Sequence, residues 1–123
     1  MEERIIVIAT LELVDDKLSE LQAVINKLQQ HCRQTEDGML QYDWYKADNS
    51  STIKVLETYV DSEAVLFHFD NYKSFAPRLS EFRTFVSLEV YGTASNALRK
   101  RVEKINAIHY SAFATLNRLD HTK

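Results

Sequence analysis

The segment Glu57 to Phe75, ETYVDSEAVLFHFDNYKSF, gathers an acid, an imidazole and two phenols in one short stretch. Period-two geometry in a strand places Val55, Glu57 and Tyr59 on one side, so Glu57 is a carboxylate between apolar neighbours. Ala64 and His68, four residues apart, share one face of a helix. A helix folding back over that strand brings His68 toward Glu57, and an imidazole oriented by a carboxylate is a general base suited to neutral pH. The structural alternative is a satisfied, half-buried His68 and a Glu57 paired with a surface lysine or a backbone amide. By the same reading Tyr42, Trp44, Tyr59 and Tyr72 are core aromatics whose polar tips find partners. His31, His109 and His121 lack histidine or carboxylate partners at metal-ligand spacing, so no metal is expected.

The elements that must position these groups follow from the hydropathy pattern. Residues 5–14, IIVIATLELV, are rich in β-branched residues and predict a first strand. Over 17–34, Leu18, Leu21, Ile25, Leu28 and Cys32 recur at helical spacing, behind an Asp cap and before Gly38. Residues 39–47 alternate Leu40, Tyr42 and Trp44 against Gln41, Asp43 and Tyr45, and a polar turn leads into 52–60 as a hairpin. Asp61 caps a helix through Phe69, which Asp70-Asn71 interrupts. A second helical piece is expected from Tyr72 to Phe82, kinked near Pro77. A strand over 84–91, a helix over 95–105 and a weak fifth strand over 107–117 complete the chain. The order strand, helix, strand, strand, helix, strand predicts an α+β domain of the ferredoxin-like plait, an antiparallel sheet with helices on one face. Apolar residues on both sides of the strands predict a large uncovered patch and therefore a partner sheet.

Composition narrows the function classes. The chain has 123 residues, 45% of them hydrophobic, which suits a single domain over 1–123 with one core. A net charge of −3, with both signs scattered, disfavours a nucleic-acid or anionic-membrane surface. Two glycines exclude glycine-rich phosphate loops, and a single cysteine excludes an internal disulfide and a cysteine zinc site. That count suits a reducing cytoplasm, and the acidic, interrupted amino terminus is not a signal peptide.

The pattern Glu36-x-Gly38, then Tyr42, then Glu57-x-Tyr59-x-Asp61-x-x-Ala64-x-x-x-His68, then Tyr72-Lys73-x-Phe75, resembles the antibiotic biosynthesis monooxygenase-like domains. The resemblance covers a core of about 4–92 and leaves 93–123, with its helix and possible strand, without a counterpart. It implies a dimeric α/β barrel made when the sheets of a homodimer close face to face, each protomer holding a small-molecule pocket between sheet and helices. It further implies a monooxygenase that needs no cofactor, because a quinol or anthrone can give an electron to oxygen once it has lost a proton. By this carry-over His68 is the catalytic base or acid, while Glu57, Tyr59, Tyr72, Lys73, Tyr42 and Trp44 contact the substrate. Isomerisation of a small phosphorylated signal molecule, or ligand binding without catalysis, are the alternatives. Asn71 stands where relatives commonly carry a second histidine. The Asn and Trp of haem-degrading relatives are absent.

Overall fold

The computed structural model describes residues 4–116 and 118. Expectations for the amino-terminal Met1 to Glu3, for Asn117 and for His121 lie outside the described residues. The elements are β1 (Ile5–Leu13), α1 (Leu18–Thr35), β2 (Met39–Lys46), β3 (Thr52–Tyr59), α2 (Ser62–Tyr72), α3 (Ala76–Leu79), β4 (Arg83–Tyr91), α4 (Asn96–Arg101), a 3₁₀ turn over Glu103–Ile105, and β5 (Ile108–Tyr110). They form one sheet in the order β2-β3-β1-β4-β5. The first four strands pair antiparallel in the ferredoxin-like arrangement, whereas β5 joins β4 in parallel. The sheet is therefore mixed at one edge. The chain leaves β4, crosses through α4 and returns in the same direction, the kind of connection a parallel pair requires.

Alternation along β1 defines the core: Ile5, Val7, Ala9 and Leu11 are buried. Against this face pack Leu21, Val24, Leu28 and Cys32 of α1, Val65 of α2, and Leu98 of α4. The carboxy-terminal appendix thus docks on its own protomer, with Leu98 and Val102 almost completely buried.

Several local expectations are corrected. Lys17, not an aspartate, occupies the position before α1 and makes no side-chain cap. Asp16 instead turns the chain in the left-handed region at φ 60°, which aspartate tolerates. Leu18 consequently sits at the helix mouth, 46% exposed. α2 runs unbroken through Asp70 and Asn71, because their side chains are engaged with Arg101 and Glu36 and do not compete for the helix backbone. The Asp61 cap is as expected, its Oδ1 accepting from the Ala64 amide at 2.9 Å. The helix expected over Tyr72 to Phe82 shrinks to α3, with Pro77 in the first turn, where a missing N–H costs nothing. The fifth strand is three residues long. A bulge between Met39 and Gln41 turns Leu40 outward, while Tyr42 and Trp44 keep the inner side.

The outer face is not the continuous apolar patch expected. Ile6 and Ile8 share it with Thr10, Lys54, Thr58 and Gln41, where Lys54 Nζ donates to Thr10 Oγ1 at 2.9 Å and Thr58 Oγ1 to Gln41 Oε1 at 3.0 Å.

Gly38 sets how closely α2 approaches the end of α1. A Cβ there would lie 2.7 Å from the Ala64 Cβ and 3.2 Å from Val60 Cγ2. Gly38→Ala should lower stability in urea by about 1–3 kcal/mol, the usual cost of overpacking. Adding Ala64→Gly should recover part of the loss, and simple additivity of the two changes would show that the contact does not limit the packing.

Candidate active site

α1 and α2 face each other through two helical spacings. Cys32 and Glu36 are one turn apart at the end of α1, where the Glu36 amide donates to the Cys32 carbonyl at 2.9 Å. His68 and Asn71 lie on the facing side of α2. Glu36 Oε2 accepts from His68 Nδ1 at 2.8 Å and from Asn71 Nδ2, also at 2.8 Å. The His68 and Glu36 side chains are only 4% and 2% exposed. Asn71 is itself braced, with Nδ2 on Thr35 Oγ1 and Oδ1 against His31 Nε2, both at 2.9 Å.

Burial pushes the Glu36 carboxyl up, but the hydrogen bonds from His68 and Asn71 and the His68 charge outweigh it and hold Glu36 below the usual carboxylate range. An ionised carboxylate can only accept, so Nδ1 carries a proton, and in the neutral form of the ring the lone pair is on Nε2. Burial also pushes the Cys32 thiol far up, aided by Glu36. Cys32 Sγ, Glu36 and His68 Nδ1 lie within 4.8 Å of one another and are the candidate metal ligands among the described residues. The 2.8 Å between Nδ1 and Oε2 is a hydrogen-bond separation. Two ligands bound at about 2.0–2.1 Å to a tetrahedral zinc would stand roughly 3.3 Å apart.

His68 also lines a cavity of about 290 Å³ between the sheet and the helices. Ala9, Leu11, Val55 and Leu88 form its floor, and Val102 and Ile105 beyond α4 form part of its wall. Glu57 enters from β3, its Oε1 accepting from the Tyr59 hydroxyl at 2.6 Å. Burial pushes the Glu57 carboxyl up, outweighing the His68 charge and the Tyr59 hydrogen bond. Two buried carboxylates thus flank one imidazole with opposite shifts, the arrangement that separates a charged partner from a neutral acid. Tyr72, whose hydroxyl accepts from Arg83 Nη2, lies with its ring 5.8 Å from that of His68.

His68, Glu57, Tyr72 and Trp44 therefore line one cavity. The carboxylate that holds His68 is Glu36 and not Glu57, correcting the sequence expectation, because Glu57 is taken by Tyr59. Tyr59 is fully buried behind Glu57, and Tyr42 packs edge-on to His68 at 4.9 Å but opens onto a separate polar groove. Neither is a wall of the cavity. Lys73 is not among the residues lining the cavity, and its side chain is 72% exposed and 3.5 Å from Asp70. Sequence reasoning missed Glu36, Asn71 and Arg83 as site residues. The signal for the first two was the pairing of the 32/36 spacing with 68/71, which only the packing of the two helices reveals.

A family model described as antibiotic biosynthesis monooxygenase matches residues 4–87. MupZ from Pseudomonas fluorescens superposes with a TM-score of 0.84 at 18% identity, covering 94% of this chain and 95% of its own. A putative antibiotic biosynthesis monooxygenase from Caulobacter crescentus gives 0.64 at 25% identity, covering 72% and 88%. SnoaB, a cofactor-independent oxygenase from Streptomyces nogalater, gives 0.62 at 10% identity, covering 78% and 97%. No curated protein sequence matches this chain.

The shift at Glu57 has a measurable sign. A carboxyl whose pKa is raised by folding contributes stability that is complete below its unfolded value and is lost as the pH rises through the folded one. Glu57→Gln keeps an acceptor for the Tyr59 hydroxyl without that ionisation. Urea denaturation should find the variant more stable than the parent at about pH 8, the difference vanishing near about pH 4. A pH-independent difference would contradict the raised value.

Proposed function

The chain belongs to the antibiotic biosynthesis monooxygenase family, and we propose that it is a small cofactor-independent monooxygenase-like enzyme that oxidises a quinol or similar oxygen-rich molecule. The observation that carries this reading is the buried His68, fixed through Nδ1 by an ionised Glu36 and lining a largely apolar cavity. A bound quinol or anthrone gives a proton to Nε2, and Glu36 stabilises the imidazolium that forms. The electron-rich anion then passes one electron to dioxygen, and the two radicals join in a C–O bond. Cleavage of the O–O bond with loss of water leaves a carbonyl, so a C–H pair and O₂ become C=O and H₂O. Glu57, kept toward its neutral form by burial, is the nearby O–H for the departing oxygen. An apolar site admits uncharged dioxygen and limits reprotonation of the anion by bulk water.

The shared placement of Glu57 and His68 in one cavity supports a second reading, isomerisation by removal of a proton at one atom and its return at another. An oxygen electrode separates the two, since only oxidation consumes oxygen in step with substrate. Assembly as a homodimer through the outer sheet face belongs to the same proposal. It is supported by exposed Ile6, Leu40 and Val86 on the strands and by Phe113 and Leu116, which are 103% and 81% exposed on the protomer. No helix among the described residues is long and apolar enough to cross a membrane. The cytoplasm remains the compartment proposed from the single buried thiol.

His68→Asn offers a clean test, because the amide Nδ2 can replace Nδ1 as donor to Glu36 while Nε2 is lost. With a turned-over quinol in hand, the variant should melt close to the parent and lose about 10²–10⁴-fold in turnover, the usual share of general acid–base catalysis. Undiminished turnover in the folded variant would remove His68 from the chemistry. In sedimentation, the parent should run as a dimer at micromolar concentration, and a persistent monomer would remove the barrel.

A further inference from the structure

Arg83 opens β4 opposite Leu13 of β1, half-buried, and lines the cavity that holds His68. Its Nη2 donates to the Tyr72 hydroxyl, and its buried Nε has no partner. Among the described residues no carboxylate pairs with it. The other guanidinium at the cavity differs, since Arg101 Nη2 donates to Asp70 Oδ1 at 2.9 Å and has its counter-ion. Neither buried carboxylate is bonded to Arg83: Glu36 Oε2 accepts from His68 and Asn71, and Glu57 Oε1 accepts from the Tyr59 hydroxyl.

A guanidinium does not lose its charge at any accessible pH, so Arg83 stays a cation against an apolar space. A partly desolvated charge without a partner is costly, and an anion brought to it gains in proportion. The planar fork fits a carboxylate, whose two oxygens accept in one plane from two N–H groups. A phosphate would call for more donors than this one side chain provides, and Arg101 is already committed to Asp70. The surrounding wall, Leu11, Phe85 and Ile105, suits an apolar body.

We propose that the cavity takes a small amphipathic carboxylic acid, its carboxylate on Arg83 and its apolar body against Leu11 and Phe85, with the reacting end at His68. This rests on reading the cavity as the substrate site, but not on oxygen chemistry. Arg83 is then the residue that selects acids over neutral analogues of the same shape.

Trp44, the single tryptophan of the chain, lines the same cavity and reports its occupancy by fluorescence. The parent is titrated with 3-phenylpropionate and with the neutral 3-phenyl-1-propanol, exciting the indole selectively. The acid should bind at least about tenfold more tightly, the worth of a charge-assisted hydrogen bond in a shielded site. Arg83→Met should bring the acid down to the alcohol, whereas Arg83→Lys, which keeps the charge, should retain part of the preference and Arg101→Met most of it. Equal binding of the two probes by the parent, no response to either, or loss of preference in Arg101→Met but not in Arg83→Met would each overturn the proposal. Should Arg83→Met fail to fold by circular dichroism, the parent comparison and Arg83→Lys still decide. A parent that prefers the acid yet takes up no oxygen in the presence of any quinol would retain this inference and lose the oxygenase reading.

Discussion

The hydrogen bond between His68 Nδ1 and Glu36 Oε2, 2.8 Å long and sealed from solvent, constrains the whole helical layer. An ionised carboxylate taken out of water is tolerated only when its lone pairs are met, so the partners cannot drift apart without several kcal/mol of cost, roughly the penalty of an unpaired buried charge. α1 must therefore end where Glu36 reaches α2, and α2 must start where His68 falls opposite it. The Asp61 cap fixes that start, and the close approach of Gly38 to Ala64 fixes the distance between the helices. The site is thus built where two helix termini converge and not on a mobile loop.

The strand layer supplies a different kind of control. β3 carries Val55, Glu57 and Tyr59 on its inner side, which makes Glu57 a carboxylate buried among apolar groups with one donor, the Tyr59 hydroxyl. One hydrogen bond does not repay the desolvation of a charge, whereas two do so for Glu36 beside an imidazole. Two similar side chains near His68 acquire different protonation preferences from their surroundings alone. Residues beyond the span matched by the family model add to this enclosure, since Val102 and Ile105 form part of the cavity wall.

Much of the scaffold was legible in the sequence because its signals are local. The alternation of Ile5, Val7, Ala9 and Leu11, the Leu21, Leu28 and Cys32 stripe and the Asp61 cap each follow from periodicity or backbone chemistry within a few residues. The misreadings arose where a tertiary contact overrides local preference. Asp70 and Asn71 look like helix breakers until Arg101 and Glu36 engage their side chains. Leu40 looks inward until a bulge rotates it outward. In the site, the positions of His68 and Glu57 in one cavity followed from strand and helix periods, but their mutual pairing did not. Which carboxylate meets His68 depends on where α1 ends relative to α2, and Glu36 and His68 are thirty-two residues apart in the chain.

Asn71 shows why a missing histidine need not mean a missing site. In its place the amide donates to Glu36 Oε2 and accepts at His31 Nε2, so it orients the carboxylate and adds no second base. The consequence for proton traffic is directional. With Nδ1 committed to Glu36, and the neighbouring Cys32 thiol pushed up by burial, the groups on the inner side of the imidazole hold their protons in place. A proton taken at Nε2 must return through the cavity, either to the substrate or to the group that leaves with the product. A one-imidazole site of this form suits chemistry that ends with the proton on the product side, as loss of water after oxygen transfer or reprotonation in an isomerisation both do.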